Sequence, residues 1–384
     1  MLEDPAVRSL LQTLPDARLV GGCVRDMLAG QPVADIDFAT PMPPDEVMAT
    51  LTKAGVRVIP TGLSHGTVTA MIDGRGFEIT TLRRDVATDG RHAEVAFTGD
   101  WQVDAARRDF TINAMSMTAD GTVHDYFGGI EDLRAGRLRF VGDPGTRLAE
   151  DHLRTLRFFR FYARYAQCPP DPVTRLALAE AAGKLHRLSA ERVWSELKRI
   201  LSVPDPSRSI ALMEELGVLA AVLPEGRNPG RFFRLVASGA PADPVLRLAA
   251  LIDGDATALA VRLRLSGDEA DRLLALRAPG IAGPDADEAD LRRLLADTPK
   301  AVLIDRLWLA GEGAALRARV AATPCPVFPL AGRDALALGF APGPAVGVAL
   351  RAVRAWWLAG GCVADAAACR AQLAAATAER NAPM

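Results

Sequence analysis

The chain has 384 residues, 49% hydrophobic and 24% charged, with a formal net charge of −2. That is ordinary globular composition and length enough for two or three domains. Arg, Asp or Pro interrupts every apolar run before the ~18–20 residues of a bilayer span, and the N-terminal MLEDPAVRSLLQTLPDARLV has no basic head followed by an apolar stretch. No membrane span and no signal peptide are therefore expected, and a cytoplasmic location is.

Five cysteines without a CxxC pair give neither a disulfide framework nor a zinc knuckle. No histidine follows His186, which excludes a multi-histidine metal site in the C-terminal half. The charge is uneven: residues 101–200 carry 16 Lys/Arg against 13 Asp/Glu. Arginine outnumbers lysine 41 to 4, so single arginines say little and their spacing says more.

In chain order, Ala17–Gly22, Gly55–Pro60, Gly66–Asp73 and Gly76–Leu82 are short β-branched segments between Gly or Pro, and predict strands. Pro44–Ala54 has helical spacing, with Val47, Leu51 and Ala54 on one side. From about residue 147 the pattern is helical and Ala/Leu-rich, interrupted only by Pro and Gly clusters. An α/β head followed by an all-helical body is the reading, with the boundary within 129–150.

Two constellations in the head carry chemistry. In LVGGCVRD a strand ends, Gly21 and Gly22 turn, and a helix follows with Arg25 in its first turn. Backbone N–H groups at such a turn can face a phosphate, although a Gly-Gly pair is also a plain turn. Ten residues on stands Asp35-Ile36-Asp37-Phe38. In a strand, residues i and i+2 share a face, so the two carboxylates converge and repel each other unless a cation intervenes. Mg²⁺, a hard oxygen-seeking ion that shares its shell with substrate phosphates, fits that pair; a solvated strand edge is the other reading. Together the two motifs make a phosphate cradle beside a metal clamp. Glu78, in the strand-like GFEITTLRR, is a candidate third ligand or an exposed strand residue.

The second half of the head adds Arg107–Ala114, RRDFTINA, which reads as an anion site or as a helix-start ion pair. Taken as one helix from Thr146, the run TRLAEDHLRTLRFFRFYARY places Arg154, Arg157, Arg160 and Arg164 on one side, headed by Glu150 and Asp151. Leu156, Phe159 and Ala163 fall opposite. This is a solvated face of ion pairs or a base-reading surface. Cytosine and adenine both present an amino donor beside a ring-nitrogen acceptor, which an Asp151 acceptor and an Arg154 donor would match; uracil and guanine present the reverse order.

In this order, the stretches LVGGCVRDMLAG, ADIDFAT, PTGLSHGTVTAMIDGRGFEITTLRRD, RRDFTINAMS, FGGIEDLRAGRLRFVGDP and RLAEDHLRTLRFFRF resemble the class II CCA-adding tRNA nucleotidyltransferases, of the tRNA nucleotidyltransferase/poly(A) polymerase family. ERVWSELKRIL at 191–201 looks like the family's neck motif. The resemblance implies an α+β fold: a polymerase-β-like head with a small mixed sheet over 1–135, a helical neck with the base template over 136–205, and a tRNA-binding body and tail over 206–384. It implies addition of C, C and A to the tRNA 3′ end from CTP and ATP, without a membrane or an obligate protein partner.

Carried over by motif, Asp35 and Asp37 would hold Mg²⁺, and Gly21, Gly22 and Arg25 would meet the nucleotide's phosphates. Arg108 would contact the nucleotide, Asp151 and Arg154 would read the base, and Arg157 and Arg160 would complete the pocket. Arg83–Glu94 matches the family's flexible loop but departs from its commoner sequences. Phe158 and Phe159 replace the usual smaller residues and are expected to alter packing rather than chemistry. An A-adding enzyme and a bacterial poly(A) polymerase share this head, and a non-catalytic RNA-binding module is the alternative of another class. PTGLSHGTV lacks the basic-aromatic segment of the polymerases, and an intact aspartate pair speaks against a retired site.

Overall fold

The structure, a computed structural model, describes residues 1–88 and 93–381. The chain forms two compact units, Met1–Pro224 and Glu225–Met384.

The first unit opens with α1 (Pro5–Thr13), β1 (Arg18–Val20), α2 (Gly22–Leu28), β2 (Asp37–Thr40), α3 (Pro44–Lys53), β3 (Arg57–Gly62), β4 (Thr67–Ile72) and β5 (Arg75–Thr81). The ribbon β6 (Arg83–Thr88) and β7 (Ala93–Phe97) follows, then α4 (Trp101–Ala106), β8 (Met115–Met117) and β9 (Val123–Asp125). The expected loop over 83–94 is thus, in its described residues, a two-stranded antiparallel ribbon; residues 89–92 lie outside the described residues. The predicted strands all form, as does the helix over 44–54.

Seven strands make one sheet in the order β3-β4-β5-β2-β1-β8-β9, in which β2–β5 is the parallel pair and the rest are antiparallel. Parallel neighbours need a crossover, and α3 with the β3–β4 hairpin supplies it. One face is sealed by Val7, Leu10, Leu19, Val24, Phe38 and Leu51, all nearly fully buried. Each such side chain contributes roughly 1.5–3 kcal/mol by leaving water.

Helices complete the unit: α5 (Gly129–Ala135), α6 (Pro144–Glu150), α7 (Leu153–Tyr165), α8 (Pro172–Ala182), α9 (Ala190–Leu201), α10 (Ser207–Glu215) and α11 (Val218–Val222). Asp-Pro steps start several helices. At Asp4, Asp143 and Asp171 the carboxylate caps backbone N–H groups while proline takes the first helical position, where no N–H is needed. Phe158 and Phe159 are fully buried; Phe158 stacks on Phe140 at 5.6 Å and lies 6.0 Å from Phe110. These aromatics weld α7 to the loops of the head, a packing role as expected.

The second unit is helical from α12 (Pro229–Ala237) through α13 (Pro244–Leu251) to α21 (Ala366–Asn381). It has its own cores, around Leu291, Leu303 and Leu307 and around Val353, Trp357 and Leu373. No helix among the described residues is long and apolar enough to cross a membrane.

Candidate active site

The carboxylates gather at the start of β2. That strand begins at Asp37, not at Asp35 as the alternation predicts, because its ladder to β5 starts at the Asp37–Glu78 pair and its ladder to β1 reaches only Phe38 and Ala39. Asp35 lies in the extended lead-in. Both aspartates and Glu78 nevertheless line one cleft of about 650 Å³. Burial pushes the Asp37 carboxyl up, the negative charges of Glu78 and Asp35 add to this, and the Arg108 cation opposes it.

A partly buried carboxylate between two others is poorly stabilised by protein alone, so these hard oxygen donors fit a divalent cation. Among the described residues no group of three metal-ligating side chains gathers. The arrangement is a pair with Glu78 in register beside it rather than a closed cage. Two carboxylates with room for phosphate oxygens and water are what Mg²⁺ commonly takes.

A second cleft, of about 640 Å³, opens beside the Gly21–Gly22 turn. Gly21 has φ +69°, and a Cβ there would stand 2.7 Å from Nη1 of Arg108. The positive φ favours glycine at the turn, and a side chain there would also push the end of Arg108 aside. Arg107 and Arg108 share the buried Asp104, at 2.8 and 3.4 Å. Arg25 is buried: Nε donates to Asp26 at 2.9 Å and Nη1 to Asn113 at 2.5 Å, and its plane lies over Tyr165 and Phe161. Burial and a 2.5 Å bond to Asp26 push the Tyr165 hydroxyl up to about 12.

Asn113 also donates to Asp109 at 3.0 Å, and Arg157 donates to Asp109 at 2.8 and 2.5 Å. Burial would raise the Asp109 carboxyl, but the Arg157 charge and the donors from Asn113, Arg157 and Phe110 hold it below the usual carboxylate range. One polar chain therefore runs from α7 through Asp109 and Asn113 to Arg25 on α2.

The helix expected from Thr146 is two helices. Asp151 leaves α6 with φ −148° and ψ 109°, and its Oδ1 accepts from the backbone N–H of Leu153 at 3.0 Å. A carboxylate that bonds nearby backbone N–H competes with helix continuation. The break aims Asp151 into the cleft beside Arg154 and Arg157.

Asp151 and Arg154 do not pair with each other. Arg192 of α9 donates to Asp151 at 2.9 and 3.2 Å, while Arg154 donates to Glu150 and, at 3.1 Å, to the carbonyl of Arg147.

Arg160 does not join this cleft. With Arg164, Arg199 and Asp35 it lines a third cavity, of about 1000 Å³. It stands 3.1 Å from Glu196, not aligned for a hydrogen bond, and burial pulls its guanidinium down to about 10. The α7 arginine stripe is thus divided within one helix: α9 packs along α7, and Arg160 meets Glu196 of α9 while Arg157 meets Asp109.

The structure brings together Gly21, Gly22, Arg25, Arg108, Asp151, Arg154 and Arg157 in one cleft, with Asp35, Asp37 and Glu78 in the cleft of the aspartates. It adds Asp109, which in RRDFTINA reads only as the acid of a local ion pair but meets Arg157 instead, Asn113, and Arg192, to which nothing in local sequence points.

The profile of the Poly A polymerase head domain matches residues 17–139, and that of the probable RNA and SrmB-binding site of polymerase A matches 169–228. The chain is 39% identical over 359 residues to the mitochondrial CCA tRNA nucleotidyltransferase 1 of Homo sapiens, covering 89% of this chain and 82% of that one. It is 37% identical over 235 residues to the CCA-adding enzyme of Geobacillus stearothermophilus, 60% of this chain and 56% of that one. Among solved structures, the Bacillus stearothermophilus CCA-adding enzyme in complex with CTP superposes with a TM-score of 0.77 at 28% identity, covering 97% of each chain. A nucleotidyltransferase head followed by helices is the class these features define. The chain belongs to the tRNA nucleotidyltransferase/poly(A) polymerase family.

Proposed function

We propose that this protein adds C, C and A to the 3′ end of tRNA from CTP and ATP without a nucleic-acid template, releasing pyrophosphate. The observation that carries this is the juxtaposition of an arginine-lined cleft, which holds Asp151 and Arg154, with the aspartate pair, the charge of Arg108 from that cleft acting on Asp37. The relatives named for CCA addition and the structural likeness to an enzyme holding CTP support the same reading.

Asp35 and Asp37, with Glu78 in register, would hold Mg²⁺. That ion supplies Lewis-acid stabilisation of the transferring phosphoryl group and lowers the pKa of the attacking hydroxyl. The chain's own residues position the reactants. The Gly21–Gly22 turn and Arg25 receive phosphates, with Arg108 between them and Asp37; Arg157, fixed by Asp109, adds positive charge to the wall. Asp151 accepts from the amino group of C or A, and Arg154 donates to the adjacent ring nitrogen. Uracil or guanine would set acceptor against the Asp151 carboxylate and donor against the Arg154 guanidinium, a strong basis for rejection.

Residues 1–135 act as the catalytic head, 136–205 as the neck with the base template, and 206–384 as body and tail gripping tRNA by backbone and shape. All five cysteines are free thiols, which suits a reducing compartment, and we place the enzyme in the cytoplasm.

The test is extension of tRNA transcripts ending before CCA, after C or after CC, with Mg²⁺ and each nucleotide alone or CTP and ATP together. Addition of C, C and A and then a stop is expected, with loss of at least a thousandfold in rate for Asp35→Ala. Addition of A to the CC-ending transcript alone would reassign the protein as an A-adding enzyme. An unlimited A ladder would make it a poly(A) polymerase.

A further inference from the structure

The base-reading pair is held by partners outside the pair. Asp151 and Arg154 lie three residues apart where α6 gives way to α7, carry opposite charges and line the same cleft. Yet Arg154 is drawn to Glu150 and the Arg147 carbonyl, both through Nη1. Asp151 is drawn to Arg192, whose Nη2 donates to Oδ1 at 3.2 Å and to Oδ2 at 2.9 Å. Arg192 comes from the first turn of α9, 41 residues away, and itself lines the cleft.

An ionised carboxylate offers about four lone-pair positions. The Leu153 N–H and Arg192 take positions on Oδ1, and Arg192 takes one on Oδ2. That fixes the plane of the carboxylate and leaves acceptor capacity on Oδ2.

We propose that Arg192 is a positioning residue for nucleotide choice: it holds the Asp151 carboxylate away from Arg154 and in one orientation, so that acceptor and donor are presented to the base side by side. Without it Asp151 is free to turn onto Arg154. The two groups then satisfy each other, and the carboxylate no longer stands opposite the acceptor of a base with the wrong edge. The penalty that rejects UTP and GTP shrinks, because discrimination by polar groups depends on their being fixed opposite the mismatched edge. This inference rests on the base-reading role proposed above for Asp151 and Arg154.

The experiment measures kcat/KM for CTP and UTP on a tRNA ending before CCA. The proteins are wild type, Arg192→Gln, Arg192→Lys, Asp151→Ala and the Asp151→Ala/Arg192→Gln double variant. Arg192→Gln is expected to lower the CTP/UTP ratio about tenfold or more. Arg192→Lys, which keeps the charge but not the planar fork of donors, should recover part of it; should the glutamine variant fail to fold, the lysine variant carries the test with a smaller drop. In the Asp151→Ala background, Arg192→Gln should lower the ratio no further. An unchanged ratio in Arg192→Gln, or an equal further drop without Asp151, overturns the proposal, the latter by showing that Arg192 acts otherwise than through Asp151. Wild-type selectivity in Asp151→Ala overturns the base reading itself and this inference with it. Selectivity lost in Asp151→Ala but kept in Arg192→Gln overturns this inference alone.

Discussion

Gly21 shows how much a single residue without a side chain decides. It turns the chain out of β1 at φ +69° and lets Arg108 approach to a distance that a Cβ would close to 2.7 Å. An L-residue at φ +69°, ψ −121°, outside the left-handed helical well, costs on the order of 1–3 kcal/mol, and its Cβ would push the Arg108 guanidinium from its place at the turn. For Gly21→Ala we expect a loss of stability of that size in denaturant titration, and a KM for CTP and ATP raised about tenfold or more in the extension assay. A destabilised variant with an unaltered KM would show that Arg108 does not meet the nucleotide. The need for glycine was legible in the sequence as a Gly-Gly turn after an apolar strand. The arginine that exploits it, 87 positions away, was legible only as one of two arginines before an acid, because nothing local says which of them bends back to the turn.

Among the elements, α7 carries the heaviest load. It presents Arg154 and Arg157 to the nucleotide cleft, buries Phe158 and Phe159, and ends in Tyr165, bonded to Asp26 beside Arg25. One of its ties to the head is the Asp109–Arg157 pair. The Asp109 carboxyl lies below its unfolded value of about 3.9. Its stabilising contribution is therefore complete above about pH 4 and is lost as pH falls through the lower, folded value. Asp109→Asn should cost about 3 kcal/mol at neutral pH, the low end for breaking a buried pair, since a third of the Arg157 side chain remains exposed. Below pH 4 the gap between variant and wild type should narrow. Melting temperatures from pH 7 to pH 2.5 read both effects, and a gap that stays constant with pH would remove Asp109 as the titrating partner. Here the periodicity was sound for the apolar face and misleading for the polar one. A 3.6-residue period presumes an unbroken helix, and the Asp151 carboxylate breaks it by capping Leu153.

At the scale of the whole molecule, net charge says little about the partner. The chain totals −2 while residues 101–200 carry an excess of three positive charges. A tRNA held mainly by its backbone releases counterions in proportion to the phosphates neutralised. Affinity for tRNA should therefore fall with salt on a log–log plot with a negative slope of only a few units, measured by fluorescence anisotropy between about 50 and 200 mM salt. A flat line would rule out a phosphate-backbone grip.

The sequence by itself determined the order of the elements, the α/β head followed by helices, and the short motifs whose members act within a few residues of one another: the glycine turn, the aspartate pair and the acid-headed arginine run. These are local because a turn, a strand face and a helix cap are each specified within about four residues. Only the tertiary structure decided which charge meets which. Asp151 pairs with Arg192 of another helix, Arg157 with Asp109 of the head, and Arg160 turns to a different cavity from the arginines three and six residues before it. Ion-pair choice depends on distance and burial between elements far apart in the chain, and an arginine-rich sequence offers each carboxylate many equivalent partners until packing selects one.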